Sequence, residues 1–121
     1  MPCILIAGKH WTARALLRAQ LIEEGFEVEA YEDVQSLDNR LRMISELPQL
    51  LIADLFESEN LPEDIATLSH WAKLVSIWIM AGHGAVDSVA EAMKELGVER
   101  VLFRPVDMGK LVQEIKERLS S

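Results

Sequence analysis

The residues with the clearest chemical potential stand where apolar runs of the sequence end. Among these residues, Asp54 carries a carboxylate, and Lys9 and Arg104 carry positive charges. A carboxylate that is brought beside a Lys and an Arg can pair with either of them. Whether these side chains meet depends on the elements that carry them. The positions concerned are Gly8 and Lys9, Asp54, Ala81, and Arg104 with Pro105.

The remaining candidates for catalysis or metal binding form no recognisable motif. His83 stands alone between two glycines, and neither His10 nor His70 has a second His or Cys at a ligand spacing. No glycine-rich phosphate loop follows the first apolar run, and no G-x-S-x-G motif marks a nucleophile. The sequence therefore predicts no metal ligands and no catalytic residues.

Composition and charge exclude several classes of protein. The 121 residues match the commonest domain size, and half of them are hydrophobic, as in ordinary globular proteins. A net charge of −8 argues against a nucleic-acid surface, which needs clustered Lys and Arg. We find no membrane-spanning run and no signal peptide, so a cytoplasmic location is expected. Cys3 has no disulfide partner and is expected to be a packing residue.

Strand and helix patterns alternate along the whole sequence. Strand patterns lie at 3–8, 26–31, 50–57 and 98–107, and the segment 75–84 gives a strand followed by a flexible loop. Helical spacing follows each of them: from about Thr12 to Glu24, from a cap at Asp33 or Ser36 to before Pro48, after Pro62, from Val86 to Leu96, and after a cap at Asp107. This order predicts five β-α units.

Regular β-α alternation indicates an α/β fold with a doubly wound parallel sheet. Only the second strand, FEVEAY at 26–31, alternates apolar and polar residues as a half-exposed strand does. We therefore place it at an edge, which suits the flavodoxin-like five-stranded order 2-1-3-4-5. In this order the residues that follow strands one, three, four and five share one crevice.

Four segments, in order and at the expected spacings, give the chain a resemblance to the receiver domain of bacterial two-component response regulators, the CheY-like superfamily. Asp54 in LLIADL resembles the phospho-accepting aspartate, and Arg14 keeps the place of an Arg in the receiver opening. The resemblance extends over residues 1–121 as one receiver-like domain, either free-standing or the N-terminal part of a longer regulator. The segments are ILIAGKHWTAR at 4–14, LLIADL at 50–55, AGHGAVDSVAEAMKELG at 81–97 and RPVDMGKL at 104–111.

The chain departs from this family at the metal site. In receivers, two acids after strand one and the aspartate hold Mg²⁺, which neutralises the transferring phosphoryl group. The two acids correspond to Gly8 and Lys9, so two anionic ligands are missing and a cation stands near the ion's place. We expect Mg²⁺ binding to be weak or absent, and we expect no other cofactor.

The resemblance also implies altered signalling positions. Ala81 replaces the family's Ser or Thr, Val101 replaces its aromatic switch residue, and Arg104 replaces its Lys. Ala81 has no hydroxyl group that could move inward to bond a phosphoryl oxygen, and Val101 has no aromatic ring that could change its position in response. By the same resemblance, the peptide bond between Arg104 and Pro105 is expected to be cis.

Asp54 has two competing interpretations. It could still accept phosphate, with Arg104 binding the phosphoryl group bidentately. Alternatively, Lys9 and Arg104 pair directly with Asp54 in place of a metal; a further possibility is that Lys9 points into solvent. Trp11 near the crevice could cover Asp54, although packing on the first helix is the simpler prediction.

The favoured hypothesis is a degenerate pseudo-receiver. It would act without phosphorylation and without enzymatic activity, through a protein partner or a homodimer that uses the fourth predicted helix, the fifth strand and the last helix. No nucleic acid or membrane partner is expected for this domain. The alternatives are a phospho-accepting receiver that uses Asp54 in a two-component phosphorelay and a small flavodoxin-like ligand-binding protein.

Overall fold

Five parallel strands form one sheet in the computed structural model, which describes residues 3–82 and 93–120. The spatial order is β2-β1-β3-β4-β5, which confirms the predicted flavodoxin-like order. The three central strands are almost wholly buried, whereas β2 shows the predicted partial exposure of an edge strand. The strands are β1 (Cys3–Gly8), β2 (Glu27–Tyr31), β3 (Leu50–Asp54), β4 (Ile77–Ala81) and β5 (Arg100–Phe103).

Four helices are described in full: α1 (Trp11–Glu23), α2 (Val34–Leu41), α3 (Leu61–Ala72) and α4 (Met108–Ser120). Asp33 caps α2 by accepting a hydrogen bond from the Ser36 amide at 2.7 Å, and Asp107 accepts one from the Lys110 amide at 3.0 Å. Gly25 follows α1 with φ of 96°, a conformation that glycine adopts readily. Most of the helix predicted between Val86 and Leu96 falls outside the described residues, although 93–95 are helical.

The two faces of the sheet support separate apolar cores. Leu5, Leu51 and Ile77 lie in the core that α2 and α3 cover. Their strand neighbours Ile4 and Ile52 point the other way, into the core beneath α1 and α4. Side chains alternate between the faces of a strand, so nearly continuous apolar strands supply both cores. The sheet is therefore doubly wound, as predicted. Among the described helices, none combines the length and apolar character needed to cross a membrane.

Two predicted strands run past their observed ends. β3 ends at Asp54 rather than near residue 57, because the Phe56 amide donates to the Asp54 side chain and a turn follows. β5 ends at Phe103, short of residue 107, whereas β4 lies within the segment 75–84 that was predicted as a strand followed by a loop. Apolar residues beyond a strand extend its sequence pattern without joining its hydrogen-bonded ladder.

The parallel register brings the predicted site residues to one edge of the sheet. Gly8 lies opposite Asp54 in the β1-β3 pair, Asp54 opposite Met80, and Ala81 opposite Phe103. The carboxyl ends of β1, β3, β4 and β5 therefore meet at the crevice where α/β sheets commonly bind ligands.

Candidate functional site

Asp54 is a buried carboxylate at the carboxyl end of β3, with 6% of its side chain exposed. Its Oδ1 accepts a hydrogen bond of 3.0 Å from the backbone amide of Phe56. Its Oδ2 accepts a hydrogen bond from Nη2 of Arg104, which also makes an ion pair with it. Both oxygens of the carboxylate are therefore engaged within the chain.

Arg104 is held in place on several sides. Its backbone amide donates to the carbonyl oxygen of Ala81 at 3.0 Å, and its peptide bond to Pro105 is cis, as the resemblance implied. The guanidinium carbon lies 4.5 Å from the centre of the Phe56 ring, within cation–π range. Nε is buried and has no hydrogen-bond partner among the residues that the structure describes. Ring and carboxylate together hold the guanidinium group over the end of β3.

The prediction that Lys9 pairs with Asp54 is wrong, and so is the alternative that it simply points into solvent. Its Nζ lies 3.5 Å from Glu59 Oε1 and 3.7 Å from Asp33 Oδ2. Two acids from the loops after β2 and β3 outcompete the buried carboxylate, since a strongly hydrated ammonium group keeps contact with water at the surface. About 29% of the Lys9 side chain is exposed.

The Lys9 contacts shift the pKa values of the groups involved. Burial acts to lower the pKa of Lys9, but the charges of Glu59 and Asp33 outweigh it, and the pKa is raised. The pKa of Asp33 is lowered, chiefly by the hydrogen bond from the Ser36 amide and less by the charge of Lys9. Lys9 and Asp33 therefore stay charged near neutral pH. They line one side of a surface cavity of about 230 Å³ together with Glu63 and other polar residues.

Gly8 allows the close approach of β1 and β3 at the site. A Cβ atom added to Gly8 would lie 3.0 Å from the Cβ of Asp54, so a side chain there would require Asp54 to move by a few tenths of an ångström. The Gly8 carbonyl oxygen accepts a hydrogen bond of 2.5 Å from Nη1 of Arg14. Arg14 thus fixes the end of β1 from the first turn of α1 and makes no described contact with Asp54.

The two signalling positions carry small apolar side chains. Ala81 is buried at the end of β4 and offers no hydroxyl group. Val101 on β5 is partly buried against the core under α2 and α3. A branched aliphatic side chain packed in this way cannot change places as an aromatic ring does between an inward and an outward position. Neither of these two positions therefore carries a hydroxyl group or an aromatic ring.

The residues around Asp54 do not fit a divalent metal ion. Mg²⁺ takes oxygen ligands in a nearly ideal octahedral arrangement. Gly8 supplies no side-chain oxygen, Lys9 brings a positive charge to the loop after β1, and Arg104 already occupies one oxygen of Asp54. Within residues 3–82 and 93–120, no three His, Cys, Asp or Glu side chains group as metal ligands.

Sequence reasoning missed Phe56 and the two partners of Lys9. Phe56 contributes an amide to Asp54 and a ring to Arg104, and a Cβ on Gly82 would lie 3.5 Å from its Cδ1. An aromatic residue two positions after the candidate aspartate is a signal that could have drawn attention to it. Glu59 gives no such signal, because nothing in the local sequence shows that its loop meets Lys9.

Comparison with known proteins supports the fold assignment. No family model matches the chain, and no curated protein matches it. Among solved structures it is similar to a CheY-like response regulator receiver domain protein from Methanospirillum hungatei JF-1, with TM-score 0.84 and 21% identity over 99% of this chain and 94% of that chain. A receiver domain protein from Clostridium thermocellum gives TM-score 0.81 and 20% identity over 99% of this chain and 95% of that one.

A third similar structure is NtrX from Brucella abortus in complex with ADP, with TM-score 0.76 and 20% identity. That match covers 98% of this chain but 26% of NtrX, so the same fold occurs as one part of a longer chain. Low identity combined with end-to-end structural agreement shows the fold. The chain therefore has the fold of response regulator receiver domains, as its sequence predicted.

Proposed function

We propose that the chain is a degenerate receiver domain that works in signal transduction through protein contacts or dimerisation, without phosphorylation and without enzymatic activity. Residues 1–121 form one receiver-like unit in this proposal, free-standing or at the start of a longer regulator, and it acts in the cytoplasm. The single observation that carries the proposal is the closed ion pair between Asp54 and Arg104.

Phosphoryl transfer to a carboxylate needs a free oxygen that can attack in line, with cations placed to neutralise the transferring group. Arg104 covers Oδ2 of Asp54, and the Phe56 amide holds Oδ1. A guanidinium group bound to the attacking oxygen stabilises the ground state rather than the transition state, which slows the reaction. The arrangement supports an aspartate that is retained for structure.

We further propose that Mg²⁺ is not a cofactor of this domain. The loop after β1 carries Lys9, whose charge is already balanced by Asp33 and Glu59. The negative charge of Asp54 is balanced by Arg104. A divalent cation would have to displace one internal cation and approach another, which Coulomb repulsion opposes.

The proposed contact surface is formed by the helix predicted at 86–96, β5 and α4. Of this surface, the structure describes β5 and α4. Phe103 is exposed there beside a groove of about 240 Å³, and Arg100 makes an ion pair of 2.7 Å with Glu114. Aromatic and Arg side chains are enriched at protein interfaces, which supports a protein partner at this surface.

Incubation with acetyl phosphate or beryllofluoride and Mg²⁺ tests the proposal, with intact-mass spectrometry for the first reagent and ¹⁹F NMR for the second. We expect no adduct on the natural chain. Asp54→Asn is the control for labelling elsewhere. Lys9→Asp replaces one internal cation with a carboxylate, and Arg104→Lys replaces the guanidinium group that covers Asp54 with a single ammonium group, so we expect the double variant to label more than the natural chain does.

A stable adduct on Asp54 of the natural chain, with spectral changes at β5 and α4, would instead support a phospho-accepting receiver. Saturable binding of a flavin or a nucleotide that is lost in Lys9→Ala would support a ligand-binding protein. Either result would overturn the proposal.

A further inference from the structure

Helix α1 carries a second apolar face in addition to the one that packs on the sheet. Leu17 and Leu21 are its buried residues and belong to the core shared with α4. On the outer side, Trp11 is 69% exposed and Ile22 is 43% exposed. The solvent side of the helix therefore carries large apolar side chains in addition to the sheet side, whereas the outer face of an ordinary surface helix is polar.

The exposed apolar residues of α1 form one continuous stripe. Trp11, Ala15, Ala19 and Ile22 are all exposed and follow each other at steps of four, four and three, which places them on one face of a helix. Leu16, 47% exposed, lies beside this stripe. Single exposed apolar residues are normal, but a contiguous patch marks an interaction site. We call this stripe the outer α1 face.

The charges of α1 favour a partner helix that runs in the opposite direction. Its first turn has no acidic residue and its last turn has no basic residue. The last turn instead ends with Glu23, where the negative end of the helix dipole disfavours a carboxylate. An antiparallel neighbour of the same sequence would bring its Glu23 to the positive end of α1, beside His10. By symmetry each Glu23 would then interact favourably with the amino-terminal end of the other helix.

The side-chain sizes along the outer α1 face also fit a second copy. In an antiparallel pair centred between Leu16 and Leu17, Trp11 of one copy faces Ile22 of the other. Ala15 and Ala19 then lie on either side of the twofold axis, one residue out of register with each other across the pair. Small side chains at the centre allow two helices to approach closely, and the large ones at the ends close over the contact. A twofold contact is self-complementary in this way.

We propose that the chain self-associates through an antiparallel, twofold pairing of the outer α1 faces of two copies. The charged head of Arg18, at the edge of the stripe, can reach water while its stem covers apolar surface. Aromatic side chains bury roughly 150–250 Å² each, so Trp11 dominates a small contact. Total buried areas below about 1,200 Å² are typical of weak, transient complexes. The dimer is therefore concentration-dependent.

This inference does not rest on the proposed function. It uses α1, whereas the proposed contact surface uses β5, α4 and the helix predicted at 86–96. Absence of self-association would leave the phosphorylation-independent role untouched. A phosphoryl adduct on Asp54 would overturn that role and leave the α1 pairing untouched.

Sedimentation equilibrium of the complete chain over a wide concentration range tests the pairing. We expect a monomer–dimer equilibrium whose dissociation constant rises about tenfold or more in Trp11→Ala, since a buried Trp is a common hot spot. Ala19→Glu keeps a helix-forming residue and should weaken the dimer at least as much. Met43→Glu alters a residue that is 80% exposed and lies outside α1, and it should leave the equilibrium unchanged.

A chemical cross-link supplies an independent readout of the twofold axis. Ala15→Cys lies on the stripe near the axis and should form a disulfide-linked dimer under mild oxidation, whereas Leu74→Cys, exposed after the end of α3, should not. A chain that stays monomeric at every soluble concentration would overturn the proposal. So would a dimer that is equally stable in Trp11→Ala and Ala19→Glu.

Discussion

At the scale of single residues, the pair of Asp54 and Arg104 is asymmetric. The Asp54 side chain is 6% exposed, whereas the Arg104 side chain is 26% exposed and also rests on the Phe56 ring. Burying a charge is costly unless it is paired, and the cost is greater for the group with less access to water. Removing Arg104 should therefore destabilise the fold more than removing the charge of Asp54 does.

A double-mutant cycle measures this asymmetry. We expect Arg104→Met to lower the free energy of unfolding by about 3 kcal/mol, because Asp54 would be left buried without a counter-ion. Asp54→Asn should cost about 1 kcal/mol, because Arg104 can turn part of its guanidinium group toward water. The double variant should lose less than the sum of the two. Urea unfolding provides the values, and strict additivity would contradict the ion pair.

At the scale of elements, a cluster of polar side chains ties β2 to α2. Glu29 on β2 accepts a hydrogen bond of 2.8 Å from Nε of Arg40 on α2, and another from the hydroxyl of Tyr31. The hydrogen bond from Arg40, followed by that from Tyr31, lowers the pKa of Glu29. An edge strand that is only partly buried gains a side-chain link to its neighbouring helix in this way.

The lowered pKa of Glu29 has a consequence for acid stability. A carboxyl group with a lower pKa in the folded state stabilises the protein above its unfolded-state value and loses that contribution as pH falls through the folded-state value. We therefore expect Glu29→Gln to flatten the fall in unfolding free energy below pH 4.5, the ordinary pKa of Glu. Thermal melts across this range would check it.

Arg40→Met provides the matched test for this link. It removes the partner that contributes most to the shift and should flatten the same part of the curve. An unchanged slope in both variants would mean that the contact between β2 and α2 does not persist in solution.

The start of β5 has a comparable link to β4 and α4. Trp78 Nε1 donates to Oε2 of Glu99 at 2.6 Å, and Arg118 on α4 donates to both oxygens of Glu99 at 2.9 and 3.0 Å. The hydrogen bonds from Arg118 lower the pKa of Glu99 against the opposing effect of burial. These contacts hold β5 and α4 together, so the described part of the proposed contact surface is presented as one unit.

At the scale of the whole molecule, internal cations balance the charges of the crevice. Lys9 joins the loops after β1, β2 and β3, and Arg104 joins the ends of β3, β4 and β5. Together they connect all five strands at the carboxyl edge of the sheet. Under the proposed function Mg²⁺ does not bind to the domain, and an ion that does not bind adds no stability.

The thermal midpoint of the chain should consequently be insensitive to Mg²⁺. We expect the same midpoint in millimolar MgCl₂ and in NaCl of equal ionic strength, which corrects for general screening. In Lys9→Asp with Arg104→Lys, a carboxylate replaces the Lys9 cation and the guanidinium group no longer covers Asp54, so the midpoint should rise with Mg²⁺. A rise in the natural chain that NaCl does not reproduce would contradict the proposed independence from Mg²⁺.

Periodicity predicted the architecture well because both cores draw on residues that are regular in sequence. Alternation of apolar and polar residues in β2 correctly placed that strand at an edge of the sheet. Pairing preferences across loops were harder to predict. Lys9 was assigned to Asp54 because both follow strands at the same crevice, but the structure places Asp33 and Glu59 closer to it. Trp11, expected to pack on the first helix, is mostly exposed.

The sequence by itself determined the α/β class, the strand order and the position of Asp54 at the carboxyl edge of the sheet, because these follow from apolar patterns within short segments. Only the tertiary structure decided that Arg104, fifty positions away, closes on Asp54 while Lys9 turns to other acids. Ion pairing depends on distances of a few ångströms between loops, and no local pattern records them. The outer face of α1 is also decided by the tertiary structure. Its apolar residues are visible in the sequence, but only the packing of Leu17 and Leu21 on the sheet shows that this face is exposed.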